Sequence, residues 1–110
     1  MLAILAEGSS FCVGGDVAAF GEALDRDPAA FVRDGGRFVI STISRLRTMD
    51  AAVIVGAQGI VAGGGAGFLL AGDFVVAADY LKINLAFALV GATPRAGLAW
   101  FLPRAYGRHK

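Results

Sequence analysis

The chain has 110 residues, which limits it to a single domain with a modest core. Its composition is 56% hydrophobic and 17% charged, more apolar than an average soluble domain, so some apolar surface needs a partner, a membrane or further chain to cover it. The ten Lys and Arg residues are spread along the sequence and the net charge is +1, which argues against nucleic-acid binding. The single cysteine excludes a disulfide framework and favours a reducing compartment, which we expect to be the cytoplasm.

The N-terminal half predicts a strand, a loop and a long helix. Residues 2–6 (LAILA) are typical of a short buried strand, and a glycine-containing loop follows over 7–16. The apolar run ends too early for a signal peptide. Asp27 as cap and Pro28 at the first helical position predict the start of a helix, along which apolar residues recur at helical spacing opposite arginines.

The middle of the chain predicts a parallel strand–helix–strand unit. The run AAVIVG (51–56) is typical of a strand covered on both faces, and a loop over 57–62 leads to three glycines. We expect a compact helix over 66–71 and a second buried strand over 74–78, joined as a parallel crossover. Beyond an irregular segment and a turn, a last helix is predicted over 98–106 despite its internal proline.

Two other interpretations of the middle segment stay open. Residues 51–72 carry no charged side chain and are long enough to cross a bilayer as a helix, with glycines spaced for packing between membrane helices. Alternatively, a strand, glycines, a helix, a strand and the terminal acid Asp79 follow the order of a dinucleotide-binding unit. The glycines do not fit its G-x-G-x-x-G spacing, however, and three adjacent glycines favour a turn between short elements.

Two glycine-rich loops are candidates for binding an anionic group. Gly63, Gly64 and Gly65 stand at a predicted strand-to-helix turn, where unpaired backbone amides stabilise negative charge. The loop FCVGGD also follows a strand, and two such loops can provide the converging amides of an oxyanion hole, the site that holds a negatively charged carbonyl oxygen. The simpler interpretation of the second loop is an ordinary turn in which Asp16 caps the next helix.

Three segments resemble the crotonase, or enoyl-CoA hydratase/isomerase, superfamily. FCVGGD resembles its first oxyanion loop, and the longer segment AAVIVGAQGIVAGGGAGFLLAGDFVVAAD resembles its central strand, second oxyanion loop, helix and following strand. NLAFALVGATPRAGLAWFLPRAYG is similar to the stretch that leads into its late helix. The resemblance implies an α/β fold of the crotonase type, a spiral of ββα units. Residues 1–110 would form a partial acyl-CoA-binding domain, incomplete at both ends, without the family's first strands and C-terminal helical region.

The resemblance also implies a substrate and its binding residues. The amides of Gly15 and Gly64 would hold the carbonyl of an acyl-CoA thioester and stabilise its enolate, with Val13 near the CoA moiety and Phe87 in the substrate pocket. Coenzyme A is part of the substrate, so no separate cofactor and no metal are expected. The implied activity is isomerase or hydratase (lyase) chemistry of fatty acid metabolism, in a homo-oligomer, a trimer or hexamer, when full length, with neither nucleic acid nor membrane as partner.

The acid/base groups that the resemblance implies are missing. The two glutamates of the hydratase branch fall at Gly67 and Phe87, and the aspartates of two other branches fall at Leu89 and Arg95. A positioned proton-transfer group contributes roughly 10²–10⁴-fold to a rate, so ordinary hydratase activity is not expected. The alternatives are a non-catalytic acyl-CoA-binding or subunit-interaction homologue and an incomplete gene fragment.

Other reactive side chains have simpler interpretations. Asp73 and Asp79 flank a predicted strand and are expected to be helix and loop partners. Cys12 is interpreted as a small buried thiol, because the only histidine, His109, lies near the chain end with no evident orienting partner. Arg95 suits a substrate carboxylate or a CoA phosphate, or is a solvated turn residue, and no metal-ligand spacing occurs.

Overall fold

The computed structural model describes residues 1–108 and alternates short strands with helices. The elements in chain order are β1 (Leu2–Ile4), α1 (Val17–Leu24), α2 (Pro28–Thr48), β2 (Val53–Ala57), β3 (Ile60–Ala62), α3 (Gly65–Leu70), β4 (Phe74–Ala77), β5 (Lys82–Asn84), a 3-10 helix (Phe87–Val90) and α4 (Leu98–Tyr106). The predicted start of the long helix at Pro28 is confirmed, as is the last helix over 98–106, and the compact helix is confirmed with a shift of one residue at each end.

The strands form two parallel sheets. The first has the order β1-β2-β4, and the second pairs β3 with β5. Ile54 lies beside Phe74 in the first sheet, so β2, α3 and β4 are the parallel crossover that the sequence predicts. Cys12 adds an isolated parallel bridge to Val61, which brings the loop after β1 alongside the second sheet.

The two N-terminal helices begin at aspartate caps. The Asp16 carboxylate accepts a hydrogen bond from the Ala19 N–H at 3.0 Å, and the Asp27 carboxylate accepts one from the Ala30 N–H at 2.8 Å. Each bond satisfies one of the amides that a helix start leaves unpaired. The capping role of Asp16 is therefore confirmed, as is the helix start at Asp27 and Pro28.

The core lies between one face of the first sheet and the helices α3 and α4. Val53 and Val55 of β2 are fully buried, together with Leu98 of α4, and the C-terminal part of α2 adds Ile43. Alternate residues of β2 point to this face because side chains of a strand alternate between its two sides. The strands thus supply the wall against which the glycine-rich helix α3 packs.

The predicted burial of the outer strands is wrong. Every residue of β4 is exposed, with Phe74 and Val76 at 64% and 66%, and in β1 Ala3 is exposed while its neighbours are half-buried. In the described chain the second face of the sheet is open to solvent, and β4 is also at its edge. An apolar run identifies a strand but does not show which of its faces is covered.

Two further expectations for the middle segment are corrected. The predicted loop over 57–62 contains the strand β3, because its residues pair with β5 further along the chain. The interpretation of 51–72 as one membrane helix is wrong, since this stretch is divided among β2, β3 and α3. Among residues 1–108, no helix combines the length and the apolar character that crossing a membrane requires.

Candidate functional site

The two glycine-rich loops lie side by side. The Phe11 N–H donates to the Gln58 carbonyl at 2.9 Å, and the Ala62 N–H donates to the Cys12 carbonyl at 2.8 Å. These bonds tie the loop after β1 to the turn before β3 and to the last residue of β3. The loop FCVGGD is therefore held against the strand that leads directly into the three glycines.

The two loops can lie this close together because two of their residues are glycines, which have no side chain. Gly14 has a φ of +94°, and a methyl group there would lie 2.9 Å from the Ala62 carbonyl oxygen and 3.5 Å from the Gly64 nitrogen. A methyl group on buried Gly65 would lie closest to the Cys12 carbonyl oxygen and 2.9 Å from both Cβ and Sγ of that residue. Real Cβ atoms essentially never approach other atoms below 3.0 Å, so side chains at these positions would force the loops apart.

The amides of Gly15 and Gly64 have no partner within residues 1–108. Neither N–H donates to a backbone or side-chain acceptor in that part of the chain, whereas the Gly63 N–H donates to the Asn84 carbonyl and the Gly67 N–H to the Gly64 carbonyl, both at 3.0 Å. Gly15 is exposed and Gly64 is half-buried. Each amide, one from either loop, is thus able to donate to a ligand.

Gly67, the position at which the resemblance implies a glutamate in the hydratase branch, is buried against the turn before α4. A methyl group on Gly67 would lie 2.6 Å from the Cβ of Ala96 and closer still to its carbonyl oxygen. Gly67 therefore has a role in packing as well as lacking a carboxylate. Its lack of a side chain allows α3 and the turn to touch through their backbones.

The other predicted site residues are spread around this centre. Phe87 begins the 3-10 helix and packs against the core that contains Val53 and Leu98. Val13 is 64% exposed and Leu89 is 82% exposed. The Arg95 side chain is directed towards α2, where Nη1 would lie 3.9 Å from a methyl group on Gly36.

The carboxylate of Asp73 forms hydrogen bonds that connect elements of the fold. It accepts hydrogen bonds from the Val53 N–H and from the Arg47 guanidinium, both at 2.8 Å. The Val53 hydrogen bond, with the Arg47 hydrogen bond and charge, lowers the pKa of Asp73 against the opposing effect of partial burial. Asp73 thus joins β2, α2 and the start of β4, in agreement with its interpretation as a helix and loop partner.

In the part of the chain that the structure describes, the remaining reactive residues do not come together as a catalytic or metal-binding site. Cys12 is half-buried, and its carbonyl and side chain serve the loop contact at Gly65. Asp79 is exposed, and His109 lies outside the described residues. Within residues 1–108, His, Cys, Asp and Glu side chains form no group of three that could hold a metal ion.

Sequence reasoning missed Ala96. This residue is 3% exposed and has a φ of +53°, a left-handed conformation that is uncommon for a residue with a Cβ. The sequence indicated only a turn in this region, through its proline and glycine. Nothing in the spacing showed that the turn packs against α3, because that contact depends on tertiary structure.

Comparison with known proteins places the chain in a family. The family model described as enoyl-CoA hydratase/isomerase matches residues 3–110. The chain is 36% identical to 1,2-epoxyphenylacetyl-CoA isomerase of Escherichia coli and 34% identical to trans-2-decenoyl-[acyl-carrier-protein] isomerase of Streptococcus mutans, covering 97% of this chain and 41% of each relative. The chain therefore spans about two-fifths of the length of these relatives.

Comparison with solved structures supports the same family. An enoyl-CoA hydratase/isomerase from Mycobacterium abscessus superposes with a TM-score of 0.87 at 33% identity, over 96% of this chain and 40% of that one. An enoyl-CoA hydratase from Polaromonas gives a TM-score of 0.86 at 32% identity, over 96% and 41%. The chain belongs to the enoyl-CoA hydratase/isomerase family and has part of its crotonase-type α/β fold.

Proposed function

We propose that the chain binds an acyl-CoA thioester and stabilises the enolate of that thioester with the amides of Gly15 and Gly64. The observation that carries the proposal is the pair of unpartnered amides on two loops that the backbone holds side by side. The names of the relatives support the substrate class, since one is an isomerase of an acyl-CoA and another of an acyl chain on a carrier protein.

The chemistry follows from where negative charge develops. When a base takes a proton from the carbon beside the thioester carbonyl, the electron pair of that C–H bond moves onto the carbonyl oxygen. Two N–H donors fixed before the reaction stabilise that oxygen, and losing one donor typically lowers turnover by roughly 10²–10³-fold. Val13 and Phe87 are proposed as contacts of the substrate, the first near CoA and the second near the acyl group.

A second candidate function is acyl-CoA binding without turnover. It is favoured by Gly67, where contact with Ala96 leaves no room for a side chain. It is also favoured by Leu89, an apolar and 82% exposed residue at a position where the resemblance implies an aspartate in another branch. The guanidinium of Arg95 is directed towards α2 at Gly36. None of these positions supplies a carboxylate, so binding and polarisation of the thioester are supported better than proton transfer.

Two substitutions at Gly64 test the binding site. Its backbone has φ −62° and ψ −21°, so proline fits the φ angle while removing the N–H donor. Alanine keeps the donor, and its methyl group would lie 3.9 Å from the Cβ of Ala96, an ordinary contact. We expect Gly64→Pro to lose acyl-CoA affinity and Gly64→Ala to retain it, as measured by calorimetry on variants shown to be folded by circular dichroism. Equal affinities in the two folded variants would contradict the role of the Gly64 amide.

Deuterium exchange separates the two candidate functions. The chain is incubated with saturated acyl-CoA thioesters in deuterated water, and exchange at the carbon beside the carbonyl is followed by mass spectrometry. Exchange above the rate without protein supports enolate stabilisation. Tight binding without exchange or turnover supports the non-catalytic candidate.

A further inference from the structure

One residue connects the loop after β1 to the turn between β2 and β3. The Gln58 side-chain amide donates to the Ala6 carbonyl at 2.8 Å and to the Gly8 carbonyl at 3.0 Å. The Gln58 backbone carbonyl also accepts a hydrogen bond from the Phe11 N–H at 2.9 Å. Hydrogen bonds of a single residue therefore hold the segment 6–11, which leads directly into the loop FCVGGD.

The turn that carries Gln58 is itself attached to two strands. The preceding residue, Ala57, is 4% exposed, and its carbonyl accepts a hydrogen bond from the Ala78 N–H at 2.9 Å. The carbonyl of the following residue, Gly59, accepts one from the Lys82 N–H at 2.8 Å. These donors stand at the end of β4 and the start of β5, so Gln58 is a fixed point from which the loop is held.

The loop depends on such outside attachments for its shape. In the described chain, residues 5–15 make no backbone hydrogen bond to one another. The segment lies directly over the turn, because a methyl group on Gly59 would collide with the Ser9 carbonyl. The bond from Ala62 to the Cys12 carbonyl is the next attachment along the loop, and Gly15 follows soon after it.

We propose that Gln58 is a positioning residue, whose side-chain amide sets the place of the Gly15 N–H relative to the Gly64 N–H. This inference rests on the proposed function. The Gly64 side is fixed separately, through the hydrogen bond from the Gly63 N–H to the Asn84 carbonyl at 3.0 Å. Hydrogen bonds weaken steeply when distance or angle departs from its optimum. A shift of the loop would therefore weaken one of the two contacts with the thioester oxygen and leave the other in place.

The anchoring is tested without substrate, by amide hydrogen exchange followed by NMR. Gln58→Met removes both side-chain donors but keeps the backbone carbonyl that Phe11 uses. We expect the Phe11 N–H of this variant to exchange at least about tenfold faster than in the unaltered chain. The Lys82 N–H, which is bound to the same turn, should keep its rate. Asp27→Ala removes a helix cap elsewhere and is the control, in which no such difference between the two amides is expected.

Either of two results would overturn the anchoring role. One is an unchanged exchange rate of the Phe11 N–H in Gln58→Met, and the other is an equal change at Phe11 and Lys82, which would show a general loss of stability. If Gln58→Met does not fold, Gln58→Asn takes its place in the same comparison, because its amide is one methylene further from the loop carbonyls.

The effect on the site is tested with two ligands that differ only at the carbonyl. These are butanoyl-CoA and its S-butyl thioether, which lacks the carbonyl oxygen. The ratio of their affinities, measured by calorimetry, reports the contact of the amides with that oxygen. We expect the unaltered chain to prefer the thioester, and folded Gln58→Met to lose at least about threefold of that preference. A residue that served stability alone would not change this ratio, and Asp27→Ala should keep it.

Each outcome of the ligand comparison is decisive. A folded Gln58 variant with the preference of the unaltered chain would overturn the positioning role. So would an equal loss of preference in Asp27→Ala. If the unaltered chain binds neither ligand, or shows no preference for the thioester, the proposed function fails instead. The hydrogen-exchange comparison then still decides whether Gln58 anchors the loop.

Discussion

Gly65→Ala is the sharpest test of how the two glycine-rich loops are held together. The added methyl group would lie closest to the Cys12 carbonyl oxygen and 2.9 Å from the Cβ and Sγ of the same residue, whereas ordinary contact begins at 3.4 Å. The Cβ and Sγ contacts alone would require the loops to separate by about 0.5 Å at this point, the difference between those two distances, and the closer carbonyl oxygen requires more. The same shift would stretch the 2.8 Å hydrogen bond from the Ala62 N–H to the Cys12 carbonyl, and would change the spacing of the amides of Gly15 and Gly64.

The expected cost of this change follows from overpacking. Forcing extra atoms into a closely packed site typically costs about 1–3 kcal/mol, and about 1 kcal/mol lowers the midpoint of a domain this small by roughly 4–8 °C. We therefore expect Gly65→Ala to melt at least about 4 °C below the unaltered chain in a circular dichroism scan, and to bind acyl-CoA more weakly. Gly64→Ala, one residue earlier and free of a close contact, is the control. If Gly65→Ala matched that control in midpoint and affinity, the close approach of the loops would not matter and our description of the site would fail.

Two further predictions concern carboxylates outside the site. The pKa of Asp73 is lowered, first by the Val53 hydrogen bond and then by Arg47. The charged carboxylate therefore stabilises the fold at pH values above the unfolded pKa of about 4. Urea unfolding of Asp73→Asn should therefore show a loss of stability that is constant near neutral pH and disappears as acid protonates the folded carboxylate; a loss independent of pH down to about 2 would refute this. Asp27→Ala removes the cap on the Ala30 N–H and should cost about 1 kcal/mol in the same assay, and an unchanged unfolding midpoint would show that water replaces the cap.

Local sequence signals predicted the elements that depend on local chemistry. The β2–α3–β4 crossover was predictable because apolar runs, adjacent glycines and a short spacing all point to it. β3 was missed because its three residues form a strand only by pairing with β5. The burial of β4 was overestimated for a related reason: Phe74 and Val76 are apolar, but their environment depends on what covers the sheet.

The candidate site also combines features that the sequence could predict with one that depends on tertiary structure. Gly15 and Gly64 could be proposed from the sequence because the resemblance in motif concerns backbone amides. The contact between Gly67 and Ala96 could not, since it depends on the angle at which a distant turn meets α3. The resemblance implies a carboxylate at position 67 in the hydratase branch, and the structure adds that Gly67 packs against Ala96.

The pairing of β1 with β2 has a consequence for the order of folding. Leu2 pairs with Val53, and the Gln58 side chain donates to the Ala6 carbonyl 52 positions away in the chain. The chain must close a long loop containing α1 and α2 before either contact forms, whereas β2, α3 and β4 are neighbours in sequence. Because loop closure costs entropy before distant contacts repay it, β1 is expected to join the sheet late. The loop that carries Gly15 would then be among the last parts of the chain to take its place.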